Sequence, residues 1–352
     1  SSTTEYDNTS VSIAHNGQWG MVGARSYLKR DEYENKARIM TIKNTDFQSH
    51  WNVPLLEESS MNLGVAYQKE ELEDLTSNQI SDRNRIEGSQ WSAFAETAWP
   101  IFNDFNLTTG IRYDDDDIFG GHWSPRVYGV YTLSDATTIK GGVSTGFRAP
   151  SLRETTADWG QVSRGGNVYG NPDLEAETST NYELGLYTDW GRRSSTSITV
   201  FYNEFDDKIT RVDCPESICD AGPIEMTLST HFSREWSLKG NYTYTDSEQK
   251  SGEYKGEPLN QLPKHLVQTS LNWKPGKRWN SWLRVHYRGE ESQPTTGPSQ
   301  GSLVAPSYTL ADFGVNYFVT RDLKLAAGVY NLFDKEIGVE EYGYVEDGRR
   351  LW

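Results

Sequence analysis

Apolar and polar residues alternate with a period of two along most of the chain, which is the pattern of a β-strand with one apolar face. In the segment 105–113, for example, Leu107 and Ile111 share one face, whereas Asn106 and Arg112 share the other. No segment of comparable length shows the spacing of an amphipathic helix. The pattern therefore predicts an all-β chain of about sixteen strands, near residues 6–14, 19–29, 41–55, 60–70, 89–99, 105–113, 125–133, 137–148, 180–190, 196–205, 224–232, 236–246, 266–274, 279–289, 308–318 and 323–333.

The connections between these strands alternate between short and long. The short ones are rich in the Gly, Asn, Asp and Pro that tight hairpins need, and they lie at 15–18, 103–104, 134–135, 191–193, 233–234, 275–277 and 320–322. The long ones lie at 71–87, 114–124, 149–178, 206–223, 247–264, 290–306 and 335–348. This arrangement is typical of an antiparallel barrel in the bacterial outer membrane, which has short periplasmic turns and long extracellular loops.

Aromatic residues gather at both ends of the predicted strands. Those near the short turns are Trp19, Trp99, Phe105, Trp190, Phe232, Trp236, Trp273, Trp279 and Phe318. Those near the long loops are Tyr113, Phe147, Tyr202, Tyr244 and Tyr287. Two aromatic belts about one strand length apart favour a transmembrane barrel. The alternative is a soluble β-protein with an aromatic core, but the charged faces of these strands would leave such a core unfilled.

Composition excludes several classes of function. The 352 residues carry a net charge of −16, which disfavours nucleic-acid binding because phosphate contacts need a basic surface. The chain has no run of about 18 apolar residues, which a transmembrane helix would need. The chain contains no phosphate-binding glycine loop and no dinucleotide fingerprint, and no enzymatic activity is expected. No intrinsic cofactor and no protein-bound metal are expected either.

The whole chain, residues 1–352, is expected to form one transmembrane β-barrel domain that is part of a larger barrel. A sheet that spans hydrocarbon cannot leave an edge unpaired, so the barrel must close. The chain enters directly into a strand, and 349–352 resembles the opening of one more strand. The predicted localisation is the bacterial outer membrane.

Four motifs give the chain a resemblance to TonB-dependent outer-membrane receptors. They are GFRAPSL at 146–152, GNPDLEAET at 170–178, YELGL at 182–186 and YNLFDK at 330–335. The segments 34–36 and 341–350 are similar to the siderophore-receptor group that includes the colicin I and ferric enterobactin receptors. The resemblance runs over essentially the whole chain.

The resemblance implies a barrel of 22 strands that is occluded by an N-terminal plug. It also implies uptake of a ferric siderophore of the catecholate type, powered by TonB, with the iron carried by the ligand. Neither a plug motif nor a TonB box is found in this sequence, and roughly the first five strands of the family barrel are expected to be absent. Outer-membrane lipid, lipopolysaccharide, and a colicin or phage are further partners that the resemblance implies.

The predicted ligand contacts follow from the chemistry of such a ligand. A ferric tris-catecholate is a large anion with aromatic faces, which cations attract and on which Tyr and Arg side chains stack. Strand 19–29 runs towards a polar segment, so Tyr27, Lys29, Arg30 and Tyr33 are the preferred contacts near the outer rim; Tyr27, Lys29 and Tyr33 share the inward face. The alternation also points a set of basic residues into the lumen, namely Arg25, Lys29, Arg112, Lys140, Arg148, Lys239, Arg284, Arg288 and Lys324.

Arg148 and Arg288 of this set complete the predicted ligand site. The competing interpretation is structural, because lumen cations pair with nearby carboxylates; Arg112 with Asp114 and Arg288 with Glu290 are the pairs expected on that interpretation. The run 114–117 is four consecutive Asp residues. It is expected to be a solvated acidic loop rather than a calcium site.

Cys214 and Cys219 flank four residues of a long outer loop. Their spacing and the oxidising compartment predict a local disulfide.

Two other functions remain open from the sequence. The first is uptake of another solute, such as haem, cobalamin or an oligosaccharide. The second is a passive porin or an adhesin.

Overall fold

The structure is a computed structural model that describes residues 5–37, 39–56, 59–76, 78, 81–163, 166–191, 193–207, 219–231, 233–250, 255–293, 304–338, 342, 345 and 347–352. Within this part of the chain the long strands are β1 Tyr6–Trp19, β2 Val22–Asn35, β3 Met40–Leu56, β4 Ser59–Asp74, β5 Arg85–Phe102, β6 Phe105–Asp116, β7 Gly120–Ser134, β8 Thr137–Arg148, β11 Glu177–Asp189, β12 Ser194–Asp206, β13 Cys219–His231, β14 Trp236–Gln249, β15 His265–Trp273, β16 Trp279–Arg288, β19 Tyr308–Phe318 and β20 Lys324–Tyr330.

The remaining elements are short. They are helix α1 Leu152–Thr155 and strands β9 Gly160–Ser163, β10 Gly166–Tyr169, β17 Glu291–Ser292, β18 Val304–Ala305 and β21 Arg350–Leu351. The all-β prediction is confirmed, and each of the sixteen predicted strands overlaps one long strand. No helix among the described residues is long and apolar enough to cross a bilayer. The extra strand expected after residue 349 is also confirmed, since β21 pairs with β20 through Val329 with Leu351 and Tyr330 with Arg350.

The contacts divide the chain into two compact units. The first comprises residues 1–129, 142–180 and 205–213, and the second comprises 130–141, 181–204 and 214–352. In the first unit, β1 to β6 form an antiparallel meander in which each strand pairs with the next. The register shifts beside Pro54 and again beside Pro100. Proline has no N–H to donate to the ladder, so these positions suit an irregularity at a strand end.

The strands of the first unit have two faces of opposite character. Each face contains cross-strand rows, because residues that are directly opposite in an antiparallel pair point to the same side. One row, which we call the apolar row, consists of Ile13, Leu28, Phe47, Tyr67 and Trp91. The row on the other side of the sheet, one residue along each strand, is the polar row, and it consists of Ser12, Lys29, Asp46, Gln68, Gln90 and Asp116.

The apolar face is exposed rather than packed into a core. Val11 and Ile13 are 67% and 70% exposed, and Leu28, Val65 and Trp91 are exposed as well. A soluble β-protein would bury these side chains, whereas a strand that faces lipid leaves them on the surface. The exposure argues against a soluble β-protein with an aromatic core.

The hydrophobic cluster of the first unit lies where a loop packs on the ends of two strands. Leu152 and Trp159, from the connection after β8, pack with Leu72 of β4 and Ile86 of β5. Trp159 is only 1% exposed. Leu72 and Ile86 extend the polar face beyond its last polar row, so the loop covers apolar residues that would otherwise face water.

In the second unit, β13 to β16 and then β19 and β20 form another antiparallel meander. Aromatic pairs mark the ends of these strands beside the short turns. Trp236 is opposite Trp273, with stacked rings 5.6 Å apart, and Trp279 meets Tyr317 edge-on. In this unit the predicted aromatic belt near the short turns is therefore present.

The motif YNLFDK builds a turn in the second unit. Asn331 and Asp334 have positive φ angles of 50° and 56°, which short Asn and Asp side chains tolerate. The Asn331 side-chain amide donates to the Lys335 carbonyl oxygen (2.8 Å) and accepts from the Lys335 N–H (2.9 Å). The Asp334 carboxylate accepts from the Arg349 N–H (2.6 Å). These bonds fold the segment after β20 back towards β21.

Two connections differ from the sequence prediction. The loop expected at 114–124 is a turn at 117–119, because β6 continues to Asp116 and β7 begins at Gly120. Similarly, β2 extends to Asn35, so Arg30 and Tyr33 lie in a strand. The predicted disulfide cannot be placed, because Cys214 lies outside the described residues; it stays a prediction.

Candidate ligand-binding site

Tyr27, Lys29 and Tyr33 lie on the polar face of β2, as the alternation predicted. Lys29 belongs to the polar row, between Ser12 of β1 and Asp46 of β3. Tyr27 is one step along the same face in one direction, and Tyr33 is two steps along it in the other. Both rings are partly exposed, so they are available to a ligand.

The positive charge of Lys29 is compensated locally. Its ammonium nitrogen lies 2.7 Å from a carboxylate oxygen of Asp31, which is buried. Lys36, in the turn after β2, is compensated in the same way. Its hydrogen bonds to Asp7 and Glu5 raise the pKa of the ammonium above its ordinary value. The cations at this end of β2 therefore come with carboxylate partners.

Arg30 lies on the opposite face from Lys29. Its guanidinium is 3.7 Å from Glu71, whose carboxylate also contacts Lys69 and Arg85, each at 3.1 Å. These four charged side chains follow the apolar row on the strands β2, β4 and β5. Arg30 thus belongs to a mixed charged cluster on the apolar face, next to Tyr67.

The predicted pair of Arg112 with Asp114 is confirmed. The Arg112 guanidinium donates to both carboxylate oxygens of Asp114 at 2.8 Å, and to the Ser92 hydroxyl. Asp114 is only 3% exposed. A buried carboxylate needs such donors, because burying an unpaired charge is costly.

The prediction of a solvated acidic loop at 114–117 is wrong. Asp115 accepts from the Trp91 indole N–H (2.9 Å), and Asp116 accepts from the Ile118 N–H (2.9 Å) at the start of the turn. Asp117 accepts from the Ser89 N–H at 2.8 Å. Each carboxylate thus meets a donor that the neighbouring strand or the turn supplies. Among the described residues, no three His, Cys, Asp or Glu side chains are grouped so that they could hold a metal ion.

Arg148, at the end of β8, borders a cavity of about 420 Å³ in the first unit. Its guanidinium lies 2.7 Å from the Glu177 carboxylate. The residues that line the cavity also include Gln68, Gln90 and Asp116 of the polar row. The structure therefore brings Arg148 together with amide and carboxylate groups that sequence reasoning had not selected.

The amides of the polar row were missed because only cations and aromatic residues were considered as ligand contacts. The alternation could have identified them. Gln68 and Gln90 are next to the apolar Tyr67 and Trp91, so each falls on the polar face of its strand, as Lys29 does. An amide offers both donors and an acceptor, so these side chains can bind hydroxyl and carbonyl groups of a neutral ligand surface.

Arg288 lies in the second unit and has a different partner from the one predicted. Its guanidinium Nε donates to Glu291 at 3.0 Å rather than to Glu290. Glu291 is buried and also accepts from the Gln293 amide (3.1 Å). The prediction of Glu290 was wrong because the chain leaves β16 at Arg288 and forms a new short strand, β17, which directs Glu291 back to it.

Sequence comparison identifies the family of the chain. The family model for TonB dependent receptor-like β-barrels matches residues 1–332. The iron-regulated outer membrane virulence protein of Vibrio cholerae serotype O1 is 49% identical over 99% of this chain. The ferric enterobactin receptor of Pseudomonas aeruginosa is 26% identical over 93% of it. This chain spans 56% and 53% of the lengths of these two relatives, respectively.

Solved structures show the same fold. One is a variant of the ferric enterobactin receptor of Pseudomonas aeruginosa in complex with enterobactin. It superposes with a TM-score of 0.85 at 22% identity, and the match covers 99% of this chain and 62% of the receptor chain. The siderophore receptor PirA of Acinetobacter baumannii has a TM-score of 0.82 at 19% identity, with 99% and 62% covered. The chain therefore belongs to the family of TonB-dependent receptor β-barrels of the bacterial outer membrane.

Proposed function

We propose that this chain is the barrel part of a TonB-dependent receptor that imports ferric siderophores of the catecholate type. The observation that carries the proposal is the family match over residues 1–332 together with relatives named as ferric enterobactin receptors. The iron would arrive chelated by the siderophore, so the iron is cargo rather than a protein cofactor. TonB would supply the energy through parts of the receptor outside this barrel.

In this proposal the polar face of β2 contacts the ligand. Tyr27 and Tyr33 offer ring faces for stacking on a catechol, and Lys29 and Arg148 offer hydrogen-bond donors. Because Asp31 and Glu177 compensate these two cations, the walls do not act through an excess of positive charge. Recognition would depend on ring contacts and on directed hydrogen bonds. Arg288 of the second unit stays a predicted ligand contact, and Glu291 compensates its charge in the same way.

The proposal is tested with a ligand panel. The receptor purified from outer membranes is titrated with a ferric catecholate, a ferric hydroxamate and haem, and intrinsic tryptophan fluorescence reports binding. Preference for the ferric catecholate supports the proposal. Equal binding of all three, or preference for another ligand, refutes the substrate class and leaves the family assignment intact.

A second candidate is uptake of another scarce solute by the same machinery. The vitamin B12 transporter of Photobacterium profundum is 25% identical over 70% of this chain, which favours cobalamin within this group. Adding cobalamin to the panel separates the two. Membership of the TonB-dependent receptor family argues against a passive porin or an adhesin.

The further partners remain part of the proposal. Outer-membrane lipid and lipopolysaccharide would contact the apolar face, and a colicin or phage would dock on the loops. Resistance of cells lacking the receptor to a toxin or phage that kills cells carrying it would test the last of these.

A further inference from the structure

Two loops of the first unit are joined by the side chain of one asparagine. Asn78 lies in the connection between β4 and β5. Its amide nitrogen donates to the Asp158 carbonyl oxygen (2.8 Å) in the connection after β8, and to the Arg83 carbonyl oxygen (2.9 Å) in its own loop. Its amide oxygen accepts from the Gly160 N–H at 3.2 Å. The amide therefore uses both its donor and its acceptor to bridge the loops.

Two further contacts join the same loops. The Ser81 hydroxyl donates to the Asp158 carbonyl oxygen at 2.7 Å, and the Arg83 guanidinium lies 3.0 Å from the Asp158 carboxylate. Both charged side chains are about half exposed, so solvent weakens their ion pair. The hydrogen bonds of Asn78 and Ser81 outnumber this ion pair, and the bond from the Gly160 N–H is partly buried. We call Asn78, Ser81, Arg83 and Asp158 the loop latch.

Residues close in sequence to the latch belong to an apolar cluster. Trp159 follows Asp158 directly, and it packs with Leu72, Ile86 and Leu152. On the other side of this cluster, the Arg153 guanidinium lies 3.2 Å from the Met40 sulfur. The segment 151–160 is thus fixed to the strand ends by a buried aromatic side chain and by polar contacts.

This fixed segment forms one wall of the cavity beside Arg148. Ser151 and Leu152 line that cavity together with Gln68 and Gln90. Trp159 directly follows Asp158 of the latch and packs with Leu152 of this wall, so the position of the latch affects where the wall lies. Release of the latch would change the shape of the cavity without removing any group that lines it.

We propose that Asn78 and Asp158 are positioning residues for ligand capture, which hold segment 151–160 as a fixed wall that does not open when ligand binds. This inference rests on the proposed function. It places any loop movement that accompanies binding in other loops of the receptor.

The first test compares three variants of the receptor purified from outer membranes, with a ferric catecholate as the probe. Asn78→Ala removes both bridging bonds, Asn78→Asp keeps only the acceptor for the Gly160 N–H, and Asp158→Ala removes only the ion pair. We expect binding to weaken by about tenfold for Asn78→Ala, and progressively less for the other two. Asn62→Ala is the matched control, because it removes an amide–amide bond to Asn52 on the polar face (2.8 Å) and leaves the loops untouched.

The melting temperature and hydrogen exchange of segment 151–160 are measured on the same samples. Faster exchange in this segment, weaker binding and an unchanged melting temperature support the positioning role. A lower melting temperature with unchanged binding overturns it, because the latch would then serve stability alone. The exchange measurement needs no ligand, so it judges the latch even if the receptor binds no ferric siderophore and the proposed function fails.

The second test closes the latch covalently. Ser81→Cys and Asp158→Cys are joined with a short thiol-reactive linker that can be cleaved. Binding of the ferric catecholate that equals that of the unaltered receptor while the linker is intact, and that weakens after cleavage, supports a wall that stays closed. Loss of binding on linking, with recovery on cleavage, overturns the proposal because the segment would then have to open.

Discussion

Lys29 and Arg30 are adjacent and both basic, yet the fold gives them different surroundings. Lys29 belongs to the polar row, with Asp46 and Gln68, whereas Arg30 lies on the apolar face and contacts Glu71. The difference comes from strand parity alone, since successive side chains of a strand point to opposite faces. Charge identifies candidate ligand contacts in such a chain, but parity decides which of them can meet a ligand inside the barrel.

The largest effect is expected from a charge placed on the apolar face. Val65→Arg should lower the free energy of unfolding in a lipid bilayer by about 2–4 kcal/mol, because the side chain would have to enter hydrocarbon. Urea titration of the refolded receptor in lipid vesicles measures it. Ala66→Arg is the matched control on the polar face and should cost much less; equal losses for both would contradict the assignment of the faces.

The next effect separates two neighbouring carboxylates of β6. Asp114→Asn should cost about 1–3 kcal/mol, since the buried group loses its charged bonds with Arg112. Asp115→Asn, which keeps an acceptor for the exposed Trp91 indole, should cost under about 1 kcal/mol. Thermal unfolding of the two variants measures both. The reverse order would show that burial of Asp114 does not control its contribution.

A smaller effect is expected for ligand binding. Tyr27→Ala should weaken binding of the ferric catecholate about threefold to tenfold, because one ring contact is lost. Fluorescence titration measures the dissociation constant. Leu28→Ala is the control from the apolar face and should leave the constant unchanged; unchanged affinity for Tyr27→Ala would remove this residue from the proposed site.

The smallest effect is expected for Arg30→Ala. Its contact with Glu71 is long, and the Arg30 side chain is about half exposed; such pairs contribute about 0–1 kcal/mol. Because Arg30 lies on the apolar face of β2, we expect its loss to leave the affinity for the ferric catecholate unchanged in the same titration. A loss as large as that of Tyr27→Ala would show that ligand reaches the rim from the outer side.

The fold was predictable from the sequence because apolar and polar residues alternate along a membrane strand, one face meeting lipid and the other the interior of the barrel. The strand β8 was predicted with the bounds that the structure shows, Thr137–Arg148. The misses lie where tertiary contacts override local signals. The Asp run at 114–117 looked like a loop, but donors from β5, including the Ser89 N–H, hold its ends in strand and turn.

The candidate site was predictable only in part. The parity of Tyr27, Lys29 and Tyr33 followed from the alternation, and the pair of Arg112 with Asp114 followed from their spacing. The cavity beside Arg148 could not be foreseen, because it depends on the loop position that Asn78 and Trp159 fix. Such contacts join residues that are far apart in sequence and leave no local pattern.

The proposed ligand site depends on the assignment of the two faces of β2. Residues 24–33 are replaced one at a time by Cys, spin-labelled, and compared for collision with oxygen, which enters lipid, and with a water-soluble nickel chelate. We expect high oxygen accessibility at position 28 and high nickel accessibility at positions 27 and 29, with a period of two between them. Accessibility without this period, or nickel accessibility at position 28 equal to that at position 29, would contradict the assignment of the two faces.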